Sequence, residues 1–294
     1  MSRSRATLVG FTAILMWSAL ATLATLTGPV PPFELNALTF GLSGAVAMGV
    51  LAASGRLGVL RQPPKVWALG VGGLFGYHAL YFAAVKLAPP VEASLVCYLW
   101  PLLIVVLSGL LPGERLKAHH LVGAGLGLVG AAAVVTKGRG IDLDPAYVTG
   151  YLCAGAAALT WSGYSVLSRL VGAVPTATVA GFCLASAALS ALCHVLFETT
   201  VWPAGAVEWG AVVGLAALPL GFAFFAWDLG VKRGDIQVLG AASYLAPLLS
   251  TLLLIVSGKG RFDLSVGFAA VAITVGAVIA SIDMLRRRGA SAEA

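Results

Sequence analysis

The hydrophobic residues of this chain form long runs that polar residues interrupt only briefly. A helix needs about 20 mainly apolar residues to cross ~30 Å of hydrocarbon. The run from Leu102 to Leu111 is apolar on every side, whereas strands of a membrane barrel would alternate apolar and polar residues. The pattern predicts an all-α integral membrane protein with ten spanning helices, at residues 6–27, 33–54, 66–86, 91–111, 118–136, 148–170, 176–197, 207–229, 236–257 and 264–285.

Composition agrees with this prediction. Hydrophobic residues make up 59% of the 294 residues and charged residues only 10%, and the mean hydropathy is +0.95. A soluble domain carries about 25% charged residues, so this chain cannot cover a water-exposed surface. The connections between the predicted spans are short and leave no room for a catalytic domain, so we do not expect an enzyme.

Short motifs recur half a chain apart. Tyr-Leu-Trp-Pro at 98–101 returns as Tyr-Leu-Ala-Pro at 244–247, an offset of 146 positions, and Trp-Ser at 17–18 returns at 161–162, an offset of 144. The shared offset predicts one membrane domain made of two repeats, at residues 1–140 and 141–294. An odd number of spans in each repeat makes the second repeat enter the membrane from the opposite side. The repeats are therefore inverted, and a site is expected where they meet.

Lysine and arginine residues set the orientation, because cytoplasmic connections carry more of them. If the N-terminus is cytoplasmic, inner segments hold 13 and outer segments hold 5. Both termini are then expected in the cytoplasm. The net charge of +6 follows from this topology and from contact with anionic lipid headgroups, so it does not indicate a nucleic-acid partner. The inner residues are Arg3, Arg5, Arg56, Arg61, Lys65, Arg115, Lys117, Arg169, Lys232, Arg233, Arg286, Arg287 and Arg288, and the outer ones are Lys86, Lys137, Arg139, Lys259 and Arg261.

Tryptophan and tyrosine residues divide into two groups. Those near predicted span ends are typical of a membrane interface; they are Trp67, Trp202, Trp209, Trp227, Tyr147 and Tyr151. Eight others lie near mid-span. A buried hydroxyl or indole N–H needs a partner that lipid does not offer, so these eight should face the interior, either as core residues or around a wet cavity. They are Trp17, Tyr77, Tyr81, Tyr98, Trp100, Trp161, Tyr164 and Tyr244.

Prolines lie at the centres of spans 4 and 9. Pro101 and Pro247 each remove a backbone hydrogen bond and free the carbonyl four residues earlier, at Cys97 and Ser243. We expect both prolines to act as hinges and Ser243 to join the cavity lining. The alternative is a static packing kink. Pro219 lies in span 8 without a matching proline in span 3.

Deep charges are scarce in the sequence. His78 is the one ionisable residue that the span prediction places at mid-depth, so it joins the expected cavity lining and is the candidate for proton coupling, with facilitated transport as the alternative. A neutral cavity suits a neutral or zwitterionic solute with an apolar body, such as a large amino acid. Neighbouring helical residues point in different directions, so His119 and His120 do not predict a metal site. No metal and no cofactor is expected.

These features together resemble the drug/metabolite transporter superfamily, in particular its EamA branch and the aromatic amino acid exporters of the YddG type. The resemblance rests on the ten spans, the two repeats, Trp-Ser in spans 1 and 6, and the prolines of spans 4 and 9. It implies a bacterial inner-membrane exporter with a central cavity between the repeats and with helices 5 and 10 at the periphery. Ala246, which stands opposite Trp100 in the repeat, departs from the internal symmetry.

The sequence therefore predicts a transporter that exports amino acids, aromatic or other large neutral ones above all, by alternating access through the mid-membrane cavity. One alternative is an exporter of other small metabolites or drugs, and another is a structural membrane protein without transport activity. The expected partners are the solute and membrane lipid. Stripes of small residues serve packing within the bundle in this interpretation, and the monomer is slightly favoured.

Overall fold

The structure is a computed structural model and describes residues 1–138, 143–258 and 261–283. Arg139, Lys259, Arg286, Arg287 and Arg288 of the charge count lie outside these residues. The described part contains ten long helices, numbered α1 to α10, and no strand. They span Arg3–Ala24, Pro32–Ala53, Pro64–Leu87, Pro90–Ser108, Ala118–Thr136, Val148–Leu170, Thr176–Phe197, Ala206–Arg233, Ile236–Val256 and Leu264–Ala280.

Each predicted span coincides with one helix, and the ends differ by no more than a few residues. Eight helices are both long and apolar enough to cross a membrane. The helix α10 has 17 residues. The helix α6 has 23 residues, ends with Arg169 in its last turn, and buries Ser162, Ser165 and Ser168. The serine side of this helix faces the interior of the bundle, while Leu152 and Leu159 on its other side are exposed.

The helices α3, α4, α8 and α9 are interrupted in two matching pairs, and α1 has a further break at Ala19. The helical segments of α4 are Pro90–Cys97 and Trp100–Ser108, and those of α9 are Ile236–Ala242 and Leu245–Val256. These breaks lie just before Pro101 and Pro247, as the proline positions predict.

The second pair of interruptions corrects the interpretation of Pro219. A π-helical turn spans Leu218–Phe222 in α8, and another spans Gly72–Gly76 in α3. Their starts are 146 positions apart, the offset of the tetrads. Pro219 therefore does have a structural counterpart in span 3, built from glycines instead of a proline. Both residue types weaken the helical hydrogen-bond ladder, and π-helical turns often accompany functional sites.

The helices pack around two cores. The smaller core lies between α5, α9 and α10, where stripes of small residues let α5 and α10 approach closely. A Cβ atom at Gly123 would meet the Gly276 carbonyl oxygen. The larger core joins the other helices around a group of aromatic rings. Here α1 and α8 cross at Gly10 and Gly230, where a Cβ atom at Gly10 would lie 3.0 Å from the Gly230 Cα.

The bundle has two ends, which we name by the chain segments that they hold. The N-terminal face holds the start of α1 and the connections after α2, α4, α6 and α8. The opposite face holds the connections after α1, α3, α5, α7 and α9.

Candidate functional site

Four tryptophans meet in the larger core, and we call them the tryptophan cluster. They are Trp17 on α1, Trp100 on α4, Trp161 on α6 and Trp227 on α8. Every pair of these rings lies between 5.0 and 6.4 Å apart, centroid to centroid. Two of the rings come from the first half of the chain and two from the second, so the cluster lies where the two halves meet.

Further rings extend the cluster on two sides. Tyr77 and Tyr164 lie 5.5 and 5.3 Å from Trp161, and Phe224 lies 5.8 Å from the same ring. His78 joins the group through Tyr77, at 5.2 Å. Because Trp17 and Tyr77 are only half-buried while Trp100, Trp161 and Trp227 are buried, accessible ring surface is concentrated on α1 and α3.

Hydrogen bonds from the cluster hold the irregular helices in place. The Trp17 indole donates to the carbonyl of Pro219, 3.1 Å away in the π-helical turn of α8. The Trp227 indole donates to the Ser165 hydroxyl at 3.0 Å. The Ser162 hydroxyl lies 3.1 Å from the Trp100 carbonyl, beside the break in α4. The two copies of the repeated Trp-Ser motif thus each place their tryptophan, Trp17 or Trp161, in the cluster.

The structure brings together most of the residues predicted to line a cavity. Trp17, Tyr77, His78, Trp100, Trp161 and Tyr164 belong to one connected group of rings, and Tyr81 stacks on Tyr77 at 6.2 Å. Tyr98, Ser243 and Tyr244 are not part of these ring contacts. They lie instead at the breaks of α4 and α9.

The Tyr244 hydroxyl bridges the break in α4 by two hydrogen bonds. It accepts from the Leu102 N–H at 3.2 Å and donates to the Tyr98 carbonyl at 3.1 Å. In an unbroken helix these two backbone groups would bond to each other. The ring is fully buried and belongs to the smaller core, so Tyr244 lies away from the tryptophan cluster and joins α9 to the bend in α4.

Ser243 is bonded within its own helix. Its hydroxyl donates to the Leu239 carbonyl at 2.7 Å, and its carbonyl accepts from the Ala246 N–H at 3.1 Å. The prediction that Pro247 leaves this carbonyl free is therefore wrong, because a tighter turn takes it up. The two breaks are equivalent in sequence position but are stabilised differently.

The ring group contains further residues that the sequence did not predict, among them Trp227 and Phe224. Trp227 was expected at a membrane interface but is fully buried among the other tryptophans, and Phe224 stacks on Phe40 at 5.4 Å. The expectation failed because position along a span does not show which side of the helix faces the protein. A usable signal was present: the 146-residue offset that pairs Tyr98 with Tyr244 also pairs Tyr81 with Trp227 and His78 with Phe224.

His78 is buried and bonded to backbone. Its Nδ1 lies 2.7 Å from the Leu74 carbonyl in the π-helical turn of α3. Since a carbonyl only accepts hydrogen bonds, this nitrogen carries the hydrogen. The Leu74 carbonyl also accepts from the Tyr77 N–H, so the His78 ring is a second donor to the irregular turn.

His78 is not the only buried ionisable side chain of the bundle. Asp228 and Lys232, one turn apart on α8, form an ion pair of 2.8 Å with side chains that are 1% and 5% exposed. Thr176 donates to Asp228 at 2.6 Å, and Lys232 donates to the Val174 carbonyl at 3.1 Å. The helix α8 extends to Arg233, beyond its predicted end. The folded connection between α6 and α7 covers the pair, and no sequence pattern reveals that cover.

A network of four charged residues closes the N-terminal face across the two halves of the chain. Glu114 pairs with Arg3 at 2.9 Å and with Arg169 at 2.5 Å. Arg3 also pairs with Asp235 at 3.1 Å, and Arg169 donates to the carbonyls of Val231 and Gly234. We call Arg3, Glu114, Arg169 and Asp235 the charge network. It ties α1, the α4–α5 connection, α6 and the α8–α9 connection together.

A second polar group lies beside α5 on the same face. His119, His120 and Asp283 each place a possible metal-ligand atom within 4.8 Å of the others. The His119 and His120 rings are 4.2 Å apart, so the expectation that they point in different directions is wrong. The reason is local, because His120 Nδ1 accepts from the Lys117 N–H at the helix start. Lys117 Nζ pairs with Asp283 at 2.5 Å, and a cation there disfavours a metal ion.

Comparisons with known proteins match this architecture. The model of the EamA-like transporter family matches residues 4–136 and 148–282. Over 284 residues the chain is 56% identical to the aromatic amino acid exporter YddG of Ancylobacter novellus. The aligned region covers 96% of this chain and 99% of that protein. Identity to the protein of the same name from Escherichia coli is 27% over 273 residues, with coverages of 86% and 88%. A crystal structure of a protein 56% identical in sequence has a TM-score of 0.91 and covers 96% of this chain and 99% of that one.

Proposed function

This chain belongs to the EamA-like transporter family, and we propose that it exports aromatic or other large neutral amino acids across the bacterial inner membrane. The names of the relatives support the choice of solute. So does the tryptophan cluster, since stacking of an aromatic side chain on such rings is favourable by about 0.5–1.5 kcal/mol beyond the buried area. No charged side chain takes part in the ring contacts among the described residues, and this suits a solute with an apolar body.

The proposed mechanism is alternating access around this cluster. The repeats, residues 1–140 and 141–294, move against each other while the solute is bound near mid-membrane. The breaks at Pro101 and Pro247 are the proposed bending points, with Trp17, Tyr77, His78, Tyr81, Trp100, Trp161 and Tyr164 around the solute. Tyr98, Ser243 and Tyr244 support the bends. The observation that carries the proposal is the meeting of four tryptophans from both halves of the chain.

Flux into proteoliposomes tests the function directly. We expect labelled phenylalanine, tyrosine and tryptophan to cross faster than small or charged amino acids. Equal flux of all of them, or flux only of non-amino-acid metabolites, would overturn the proposed solute class. No flux of any solute would favour a structural role.

Single substitutions test the site. Trp100→Ala and Trp161→Ala are each expected to weaken the apparent affinity for large solutes, by up to roughly tenfold. Trp202→Ala is the matched control, since Trp202 is 61% exposed and, among the described rings, contacts Trp209 alone. Normal transport by both cluster variants would show that the rings are core residues and not a binding site.

Orientation and coupling complete the proposal. Both termini are cytoplasmic in it, and export follows the solute gradient. A C-terminal cysteine that reacts only from the periplasm would reverse the orientation. Concentrative flux that follows an imposed pH gradient would overturn facilitation, and loss of that response in His78→Gln or in Asp228→Asn would identify the proton carrier.

A further inference from the structure

A groove lies on the side of the bundle that α2 and α8 form. It runs between α2 and α8, and the start of α7 closes its base. Its volume is about 570 Å³, within the range of ligand pockets, roughly 300–1,000 Å³. Apart from Ser43 and Arg56, the lining is apolar; it consists of Leu42, Val46, Ala47, Val50, Leu51, Ala177, Ala180, Val213, Ala216, Ala217, Gly221, Phe222 and Phe225.

The groove opens toward the surroundings of the bundle. Val50 on one wall and Phe222 on the other are 64% and 63% exposed. Both belong to helices that are long and apolar enough to span a membrane. In a bilayer such open apolar walls face hydrocarbon, so an acyl chain fits the groove without displacing water.

One end of the groove is positively charged. Arg56 is the only charged residue among its lining residues, and it directly follows α2. Arg61 and Lys65 follow within the next nine positions, and residues 54–65 contain no aspartate or glutamate. All three cations are exposed, and none forms an ion pair within the described part of the chain. This charge is therefore free to meet an anion at the membrane surface.

We propose that this groove binds an anionic phospholipid. An acyl chain lies between α2 and α8, and the phosphate lies against Arg56, with Arg61 and Lys65 nearby. Basic residues at the membrane surface attract anionic lipids, and long cationic side chains reach the headgroup layer from a helix end. An apolar groove that ends at cations without an ion-pair partner among the described residues matches the two parts of such a lipid.

The position of the groove gives the lipid a possible effect on transport. Its wall includes Gly221 and Phe222 of the π-helical turn in α8. Ser43, also in the wall, lies 3.3 Å from the Leu220 carbonyl of the same turn. The other side of this turn accepts the Trp17 indole at the Pro219 carbonyl. A bound lipid would thus contact the π-helical turn of α8, and the same turn accepts the hydrogen bond from Trp17 of the tryptophan cluster.

Binding of defined lipids to the full chain tests the proposal. The purified protein is titrated with phosphatidylglycerol and with phosphatidylcholine of identical acyl chains, and bound lipid is counted by native mass spectrometry. Each cation is expected to contribute about fivefold in affinity for the anionic lipid, equivalent to about 1 kcal/mol. Wild type should therefore prefer phosphatidylglycerol by well over tenfold.

Three variants locate the site. Neutralising the cations together, in Arg56→Gln, Arg61→Gln and Lys65→Gln, should abolish the preference. Lys86→Gln, an exposed lysine on the opposite face, should retain it. Ala47→Phe, which fills the groove, should weaken the binding of both lipids.

Equal affinity for the two lipids in wild type would overturn the proposal, and so would an unchanged preference in the triple variant. Dimerisation that Ala47→Phe abolishes while lipid binding stays unchanged would assign the groove to a second copy. Soluble glycerol phosphate that displaces the lipid completely would show that the acyl chain contributes nothing, and would also overturn the proposal. These readouts do not depend on which solute is transported.

Discussion

The two faces of the bundle are held together by different contacts. On the N-terminal face, the charge network joins helices from both halves of the chain, with Glu114 only 7% exposed at its centre. On the opposite face, the carboxylates of Glu34 and Glu198 join α2 to the end of α7. Glu198 accepts from the N–H groups of Phe33 and Glu34, and Glu34 accepts from Val201.

The two sets of contacts involve different helices. The network joins α1 and α6, which carry Trp17 and Trp161. It therefore holds these two helices of the tryptophan cluster together. The Glu34 and Glu198 contacts lie at the ends of α2 and α7, which contribute no tryptophan to the cluster. If access alternates, the charge network is the set of contacts that must break for the N-terminal face to open. We expect the contacts on the opposite face to remain in that opening.

The largest expected effect comes from breaking the buried ion pair of Asp228 and Lys232. Asp228→Ala leaves Lys232 buried without its partner, and such a change typically costs about 3–5 kcal/mol of folding stability. We expect a large fall in the temperature of unfolding. The double variant Asp228→Leu with Lys232→Met should recover most of the loss, since an apolar pair of similar size is often tolerated. A single variant as stable as wild type would show that water reaches the pair.

A smaller effect is expected from the network itself. Glu114→Gln keeps the shape of the side chain but removes the charge that meets Arg3 and Arg169. Hydrogen bonds to charged groups contribute about 1.5–3 kcal/mol, so the closed arrangement should lose roughly tenfold or more in population. Ser168→Cys, a buried position of α6, reports opening as faster thiol labelling in a background without native cysteines.

The control for this experiment is Glu92→Gln, a half-buried acid on the opposite face that forms no ion pair within the described residues. Its labelling rate should equal that of the parent. Equal rates in the parent, in Glu114→Gln and in Glu92→Gln would show that the network does not control access.

The contacts on the opposite face should matter for stability alone. Pro31 and Pro32 begin α2 and offer no side-chain cap, so the Glu198 carboxylate caps this helix from the end of α7. Loss of a cap costs about 1 kcal/mol. We expect Glu198→Ala to lower the unfolding temperature by a few degrees and to leave Ser168→Cys labelling unchanged. Faster labelling in Glu198→Ala would remove the distinction between the two faces.

The smallest effect is expected for Asp283. A hydrogen bond from Lys117 holds the pKa of this carboxyl below its ordinary value of 3.8. Because the folded-state pKa is the lower one, the contribution is complete above about 3.8 and disappears as the pH falls through the folded-state value. An exposed pair contributes at most about 1 kcal/mol. Asp283→Asn should therefore lower the unfolding temperature slightly at pH 8, where the carboxylate is ionised, as a thermal melt of both proteins would show.

The sequence by itself determined the spans, the repeat and the family. Crossing hydrocarbon depends on the length and apolarity of each segment, and these are local properties that do not depend on neighbouring helices. The predicted all-α fold and the predicted transporter family are both confirmed. Most of the ring group was also predictable, because mid-span tryptophans and tyrosines avoid lipid wherever the neighbouring helices lie.

Tertiary structure decided which side of each helix faces which neighbour. Trp227 lies near a predicted span end yet is buried, because α8 crosses α1 closely at Gly230 and its polar end is covered by the α6–α7 connection. Tyr244 shares its motif with Tyr98 but bonds to the backbone of α4, since α9 packs against that break. In a membrane, lipid and protein interior are both apolar, so hydropathy alone cannot separate the two sides of a helix. Only the packed bundle fixes which side chains meet.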